Sequence, residues 1–348
     1  MPEPPQRLFA SDNASGIHPQ YLEAIAGANA THELAYGVDR FTQSGTNAFC
    51  ALADADVDVL FTFGGTGSNI LALAILLERA ESVLCTEWSH IAVDETGAPE
   101  RILGVKLQTV VSPDGKLQPA QIVSAVNVLG SIHHTQPGVV SISQPTELGT
   151  LYSIAEIQAI CQTAHQYGMR VHVDGARIAN AVAAMGATRD VFQKMTFAAG
   201  VDALSFGGTK NAMLNAEAVL VAPQYRGRRA QYLHKQVTQL PSKMRYTAAQ
   251  FVRALDDDLW ISTATAANTA AQTLFRKTKE FKSLQIDMPA VNSLFPIMHN
   301  PAKAKLQEWS FFWDWDINRH QVRWMTSWDT SPADIDAFVG GVSTVLAE

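Results

Sequence analysis

Charge is scarce in this chain. Aspartate, glutamate, lysine and arginine make up 17% of its 348 residues, against a usual ~25%. So little charge implies that much of the surface is hidden in a subunit interface. No basic block occurs either. With 26 basic residues against 33 acidic ones the net charge is −7, so nucleic acid and anionic membranes are poor partners. The longest strongly apolar run, residues 70–77, falls well short of the ~20 residues that span a bilayer. The opening MPEPPQRLFASDN shows no cationic segment followed by an apolar one, so no signal peptide is expected. Cysteine is rare. Cys50, Cys85 and Cys161 are odd in number and form no C-x-x-C pair, which suits a reducing cytoplasm with all three as buried thiols. No internal repeat, low-complexity tract or proline-rich linker is present.

Hydrophobic residues, at 47%, are at the ordinary globular level. The length exceeds the ~250–300 residues at which one core stops growing, so a large domain and a smaller one are expected. From residue 57 short apolar runs alternate with longer helical stretches. The pattern predicts strands at 57–63, 82–86, 106–111, 138–143, 170–174 and 203–206. Helices are predicted at 69–79, 119–129, 154–167 and 178–185. Such alternation implies β-α-β units and a largely parallel sheet, with ligands outside the carboxyl ends of its strands. Residues 243–281 read as mostly helical, with a break at Asp256-Asp257-Asp258. A strand–helix–strand–strand–helix tail follows, ending in the amphipathic stretch 333–346. The expected division is an N-terminal segment at 1–15, a large domain at 16–250 and a small α+β domain at 251–348.

Three strand ends carry chemistry. Gly64-Gly65-Thr66-Gly67-Ser68-Asn69 follows the first strand and opens a helix. Glycines let a ligand approach the backbone, and the free amides of a helix start favour an anion such as phosphate. The turn is neither a dinucleotide nor a nucleoside-triphosphate signature, because Ile70 breaks G-x-G-x-x-G and no G-K-[ST] follows. A strand-to-helix turn can also be glycine-rich for geometry alone. Asp174 ends the strand RVHVD, which puts it on one face with His172. It can cap the next helix, form half of an H-x-D iron site, or act as counter-ion to a protonated ring nitrogen. The α/β pattern argues against the iron reading. Lys210 follows another apolar strand among small residues, in Ser205-Phe206-Gly207-Gly208-Thr209-Lys210-Asn211. A pocketed lysine can lose its proton and form a Schiff base.

A phosphate turn, then an aspartate, then a lysine is the order of pyridoxal-phosphate fold type I. The chain resembles the threonine aldolase/β-eliminating lyase family through eight stretches in family order. These are SDNASGIHP (11–19), YGVD (36–39), GGTGSN (64–69), SHIAVDETGAPE (89–100), SQPTELGTLY (143–152), VDGARIANA (173–181), DALSFGGTKN (202–211) and VRWMTSWD (322–329). The likeness is nearest to the branch that includes phenylserine-cleaving aldolases. It implies an α/β fold with a large, mostly parallel sheet, pyridoxal 5'-phosphate as cofactor, and cleavage of a β-hydroxy-α-amino acid to glycine and an aldehyde. By the resemblance, Lys210 holds the cofactor, His90 stacks on its ring, Asp174 pairs with the ring nitrogen, and Gly65, Thr66 and Gly67 take the phosphate. Arg177 lies near the ring hydroxyl and the substrate carboxylate, which Ser11 and Arg323 grip. Tyr36 and Lys235 match positions that reach a neighbouring subunit's site, so a homodimer or homotetramer is implied.

Two departures stand out. Glu147 replaces a common histidine that contacts the substrate hydroxyl, which leaves the stereochemistry at the β-carbon open. Ala212 stands where the family often has glycine. The base is assigned to His90 or to a water held by His90 and Glu147. Another Cα-bond lyase and a catalytically silent homologue are the competing readings, and the retained Lys210, Asp174 and His90 argue against the silent one.

Overall fold

A computed structural model describes residues 1–347. Its large sheet contains β1 (Asp58–Thr62), β2 (Glu81–Thr86), β3 (Lys106–Val110), β4 (Gln136–Ser143), β5 (Arg170–Gly175), β6 (Ala203–Gly207) and β7 (Glu217–Val221). The spatial order is β1-β7-β6-β5-β4-β2-β3. Neighbours from β6 across to β3 run parallel. β7 is antiparallel to both β1 and β6, so β1 points the same way as the parallel set. The carboxyl ends of all strands except β7 therefore share one edge.

Every residue of β6 and β7 is buried, as expected where helices cover both faces of a sheet. The helix Gly65–Leu76 is buried continuously from Ser68 onward, so it carries no amphipathic stripe. It begins at Gly65 rather than at residue 69, because the glycine turn itself forms its first turn. The helix Ile154–Gln166 is started by Ser153, whose side chain accepts from Glu156 N–H in a reciprocal capping box.

Three hydrophobic clusters organise the chain: one packs Leu71, Val83, Val139 and Val219 around the helix Gly65–Leu76, and two others share a later helix. Of these two, the larger centres on Phe49, Phe61, Phe206, Phe251 and Trp260, with edge contacts such as Phe49 to Phe206 at 5.1 Å. The smaller gathers Phe9, Phe312, Trp324 and Phe338 over the three-stranded sheet of β8 (Ser293–Leu294), β9 (Trp313–Asp316) and β10 (Gln321–Met325), ordered β8-β10-β9. The helix Leu259–Thr278 contributes Ala264 to the larger of these and Ala270 to the smaller. This helix therefore reaches both clusters. The N-terminal segment belongs to the small core: Phe9 stacks on Phe338 at 4.3 Å, and its carbonyl accepts from Met325 N–H at 2.8 Å.

One cysteine departs from expectation. Cys85 and Cys161 are buried, but Cys50 is only half-buried. It sits one step around the helix Arg40–Ala53 from the inward-facing Phe49, which turns it away from the core. Among the described residues no helix is long and apolar enough to cross a membrane.

Candidate active site

The edge where the parallel strands end collects most of the residues singled out by motif. A cavity of about 330 Å³ opens there, lined by Ser11, His90, Glu147, Arg177, Lys210 and Arg323 among others. Lys210 lies in the single 3-10 turn Thr209–Asn211 directly after β6. Burial and the nearby Arg177 guanidinium lower its proton affinity against the opposing pull of Asp12, Asp174 and Glu217. A lysine shifted this way has more of its amine in the nucleophilic form near neutral pH.

Asp174, on β5, is 6% exposed. One of its oxygens accepts from Asn69 Nδ2 at 2.8 Å and the other from Ala176 N–H at 3.0 Å. Burial alone would raise its pKa, but His90, Lys210, His172 and the Ala176 amide together hold it below the usual carboxylate range. The helix after the DGAR motif begins at Ile178 with Arg177 at its cap position, so Asp174 is not that helix's cap. His172, its alternate on the strand, is wholly buried between the hydroxyls of Ser141 (2.9 Å) and Ser205 (3.0 Å). Both ring nitrogens are thereby engaged, which removes it as an iron ligand.

His90 opens a short helix after β2. Its Nδ1 is 2.8 Å from Glu95 Oε1, and that hydrogen bond raises its pKa above the ordinary histidine value despite desolvation. A carboxylate oxygen accepts, so Nδ1 carries the proton. Asn69 Nδ2 donates to the same Glu95 oxygen at 2.8 Å, linking the helix behind the glycine turn to Glu95 and Asp174. Atoms of His90, Glu95 and Asp174 lie within 4.8 Å of one another.

Glu147 follows β4. Its Oε1 accepts from His90 N–H at 2.8 Å and from the Ser143 hydroxyl at 2.6 Å. Burial, opposed mainly by the Ser143 hydrogen bond, pushes its pKa up to about 7. Arg177 is clamped by Asp12 through two parallel bonds, Nε to Oδ2 at 2.7 Å and Nη2 to Oδ1 at 2.9 Å. Arg323, on β10, packs its guanidinium 5.0 Å above the Trp315 ring. Its Nε and Trp315 Nε1 are buried donors with no acceptor among the described residues.

Pyridoxal phosphate fits these groups. Gly64 caps the helix Gly65–Leu76 with no side-chain hydrogen bond, and a Cβ added at Gly64 or Gly65 would meet nothing within 4 Å. The first-turn amides are thus available to a phosphate, with Thr66 and Gly67 beside them. Asp174 offers a charged carboxylate to a protonated ring nitrogen, and Lys210 offers an amine. The orphaned Arg323 and Trp315 donors point to an anionic ligand group such as a carboxylate.

Six of the residues given a role by the resemblance do not line this cavity: Gly65, Thr66, Gly67, Asp174, Tyr36 and Lys235. Tyr36 is 52% exposed and Lys235 is exposed on the helix Arg228–Thr238. They meet each other instead, with Lys235 Nζ 4.8 Å from the Tyr36 ring centre. Conversely, Asp12, Asn69, Glu95 and Ser143 are structural partners that sequence reasoning passed over. Each lies within or beside a quoted motif, but partners separated by up to 165 positions leave no periodic trace.

Residues 9–301 match the family described as Beta-eliminating lyase. A low specificity L-threonine aldolase from Pseudomonas sp. is 39% identical over 350 aligned positions, covering 97% of this chain and 98% of that protein. A low specificity L-threonine aldolase from Pseudomonas aeruginosa is 40% identical, covering 92% and 93%. Among solved structures, a threonine aldolase from Leishmania major superposes with a TM-score of 0.89 at 30% identity, covering 97% of this chain and 99% of that one.

Proposed function

The chain belongs to the beta-eliminating lyase family of pyridoxal-phosphate enzymes with fold type I, and from that premise we propose that it is a carbon–carbon lyase of the threonine aldolase type. Its substrate would be L-threonine, L-allo-threonine or a related β-hydroxy-α-amino acid such as phenylserine, cleaved to glycine and an aldehyde. The observation that carries this reading is Lys210, half-buried in the cavity wall with a lowered proton affinity, at the strand edge shared with Asp174.

Bound there, the cofactor would supply an aldehyde for the lysine and an electron sink for the pair released at Cα. Lys210 would hold it. Asp174 would keep a proton on the ring nitrogen, because an ion pair in a buried site favours both charged forms. The amides of Gly65, Thr66 and Gly67 would take the phosphate, and the His90 ring would lie against the pyridine. Arg323 and Ser11 would orient the substrate carboxylate, with Arg177 held alongside by Asp12. Fixing that carboxylate lets the Cα–Cβ bond stand where it can break.

The base that removes the β-hydroxyl proton is assigned to Glu147. Its pKa of about 7 suits proton transfer near neutral pH. His90, whose pKa the Glu95 bond raises, is the better donor and the poorer acceptor. Ionised glutamate only accepts hydrogen bonds and could take one from a hydroxyl in either β-configuration through a water. Weak discrimination between threonine and allo-threonine is therefore expected; strict L-configuration at Cα is what the family resemblance implies.

The protein would act as a homodimer or homotetramer in the cytoplasm, with Tyr36 and Lys235 completing a neighbouring subunit's site. Glycine and aldehyde release, measured across all stereoisomers of threonine and phenylserine, tests the reading. Equimolar glycine and aldehyde from L-isomers alone is the expected result. Ammonia without glycine would indicate β-elimination instead.

A further inference from the structure

The strand that alternation did not predict, β7, brings a carboxylate under the active-site edge. Glu217 pairs in register with Gly207 on β6 and with Thr62 on β1. It therefore lies between the strand leading to Lys210 and the strand leading to the glycine turn. Its residue exposure is 6%. Gly208 N–H donates to Glu217 Oε2 at 3.3 Å, and the Thr209 backbone N–H and hydroxyl both act to lower the proton affinity of the same carboxylate. The Thr209 hydroxyl oxygen in turn accepts from Ala216 N–H at 3.0 Å, and Gly208 N–H also reaches the Ala216 carbonyl at 3.0 Å. The two residues before Lys210 are thus tied to one buried side chain. The segment has no slack: a Cβ at Gly208 would come within 2.5 Å of the Ala216 carbonyl oxygen.

A buried carboxylate is costly, and an apolar side chain of similar volume commonly serves stability as well or better. Burial pushes the Glu217 pKa up to about 7, opposed by the hydrogen bonds from Thr209 and Gly208 and by the field of Lys210. Lys210 is the only cation among those influences, which ties the carboxylate to the lysine rather than to the core around it.

We propose that Glu217 is a positioning residue for Lys210: it fixes the turn from which the lysine projects and, when ionised, adds its negative charge to the field at the lysine. The inference rests on the reading that Lys210 holds the cofactor. The charged groups facing Lys210 are Arg177 from the turn after β5, Asp12 from the N-terminal segment, Asp174 from β5, His90 from the helix after β2, and Glu217 from β7. Arg177 and a protonated His90 favour a neutral nitrogen, and the three carboxylates favour a protonated one.

The test is a pH titration of the visible band of the cofactor-loaded enzyme. Glu217→Gln keeps the size and an accepting oxygen but removes the charge. The lysine nitrogen should then release its proton about half a pH unit or more lower than in the wild type. Thr209→Val, which removes a hydroxyl donor that stabilises the ionised carboxylate, should shift the titration the same way by less. This second variant keeps the test decisive if Glu217→Gln folds poorly. A wild-type band with titrations within ~0.2 unit in the variants would overturn this inference alone. Absence of the band from the wild type would overturn the cofactor reading and this inference with it.

Discussion

Lys210 and Asp174 were legible because each directly follows or ends an apolar strand and stands in a motif of fixed order. Their partners were not. Asp12 grips Arg177 across 165 positions, and Glu95 meets His90 only because the helix His90–Val93 ends and the chain turns back. Glu147 was visible as a departure from the family, but its shifted pKa required knowing that the fold buries it. That shift has two consequences. Glu147→Gln should lower kcat by ~10²-fold if Glu147 is the base, whereas a loss under ~threefold would return that role to His90. The stability effect has a definite sign. A carboxyl whose pKa is raised from 4.5 to about 7 in the folded protein binds its proton more tightly folded than unfolded. Stability then falls as pH rises through the window from 4.5 to about 7, and the penalty is complete above it. Calorimetry should find Glu147→Gln more stable than the wild type at pH 8 by ~2 °C or more, with the advantage gone near pH 4.

At the scale of elements, the parallel strands were readable as apolar runs between helical stretches. β7 was not: it begins with Glu217 and follows the Lys210 turn without an intervening helix, so the alternation rule had nothing to act on. Between them lies Ala212, which caps the Lys210 turn with φ of 73°. In that left-handed conformation its Cβ crowds the following carbonyl, at a cost of ~1 kcal/mol that glycine does not bear. Its carbonyl also accepts from His18 N–H at 3.0 Å, so the strain is held in place by that bond. Ala212→Gly should therefore raise Tm by ~2 °C in thermal melts without displacing the cofactor's absorption band. A lower Tm would mean that the glycine's added freedom in the unfolded chain outweighs the strain relieved.

For the whole molecule, the sparse charge that opened the reading has a counterpart on the surface. Leu34, Tyr36 and Val38 are 73%, 52% and 70% exposed within one short segment, beside the Tyr36–Lys235 contact. Isolated exposed apolar residues need no explanation, but a contiguous run marks a surface made to be covered. If a neighbouring subunit covers it and borrows Tyr36, dilution should cost activity and bound cofactor together. Sedimentation and activity measured over the same concentrations would show this, and a fully active monomer would contradict it. The helix Leu259–Thr278 reaches two apolar clusters, with Ala264 in one and Ala270 in the other, and its sequence carries no break between them to mark this.

The central assignment is the nitrogen that holds the cofactor. Borohydride reduction of the loaded enzyme, followed by peptide mapping, reads this directly. The expected result is a single stable adduct on Lys210, in the peptide carrying Thr209-Lys210-Asn211, with none formed in Lys210→Ala. An adduct on Lys235 or any other lysine, or no adduct in an enzyme that still releases glycine, would contradict it.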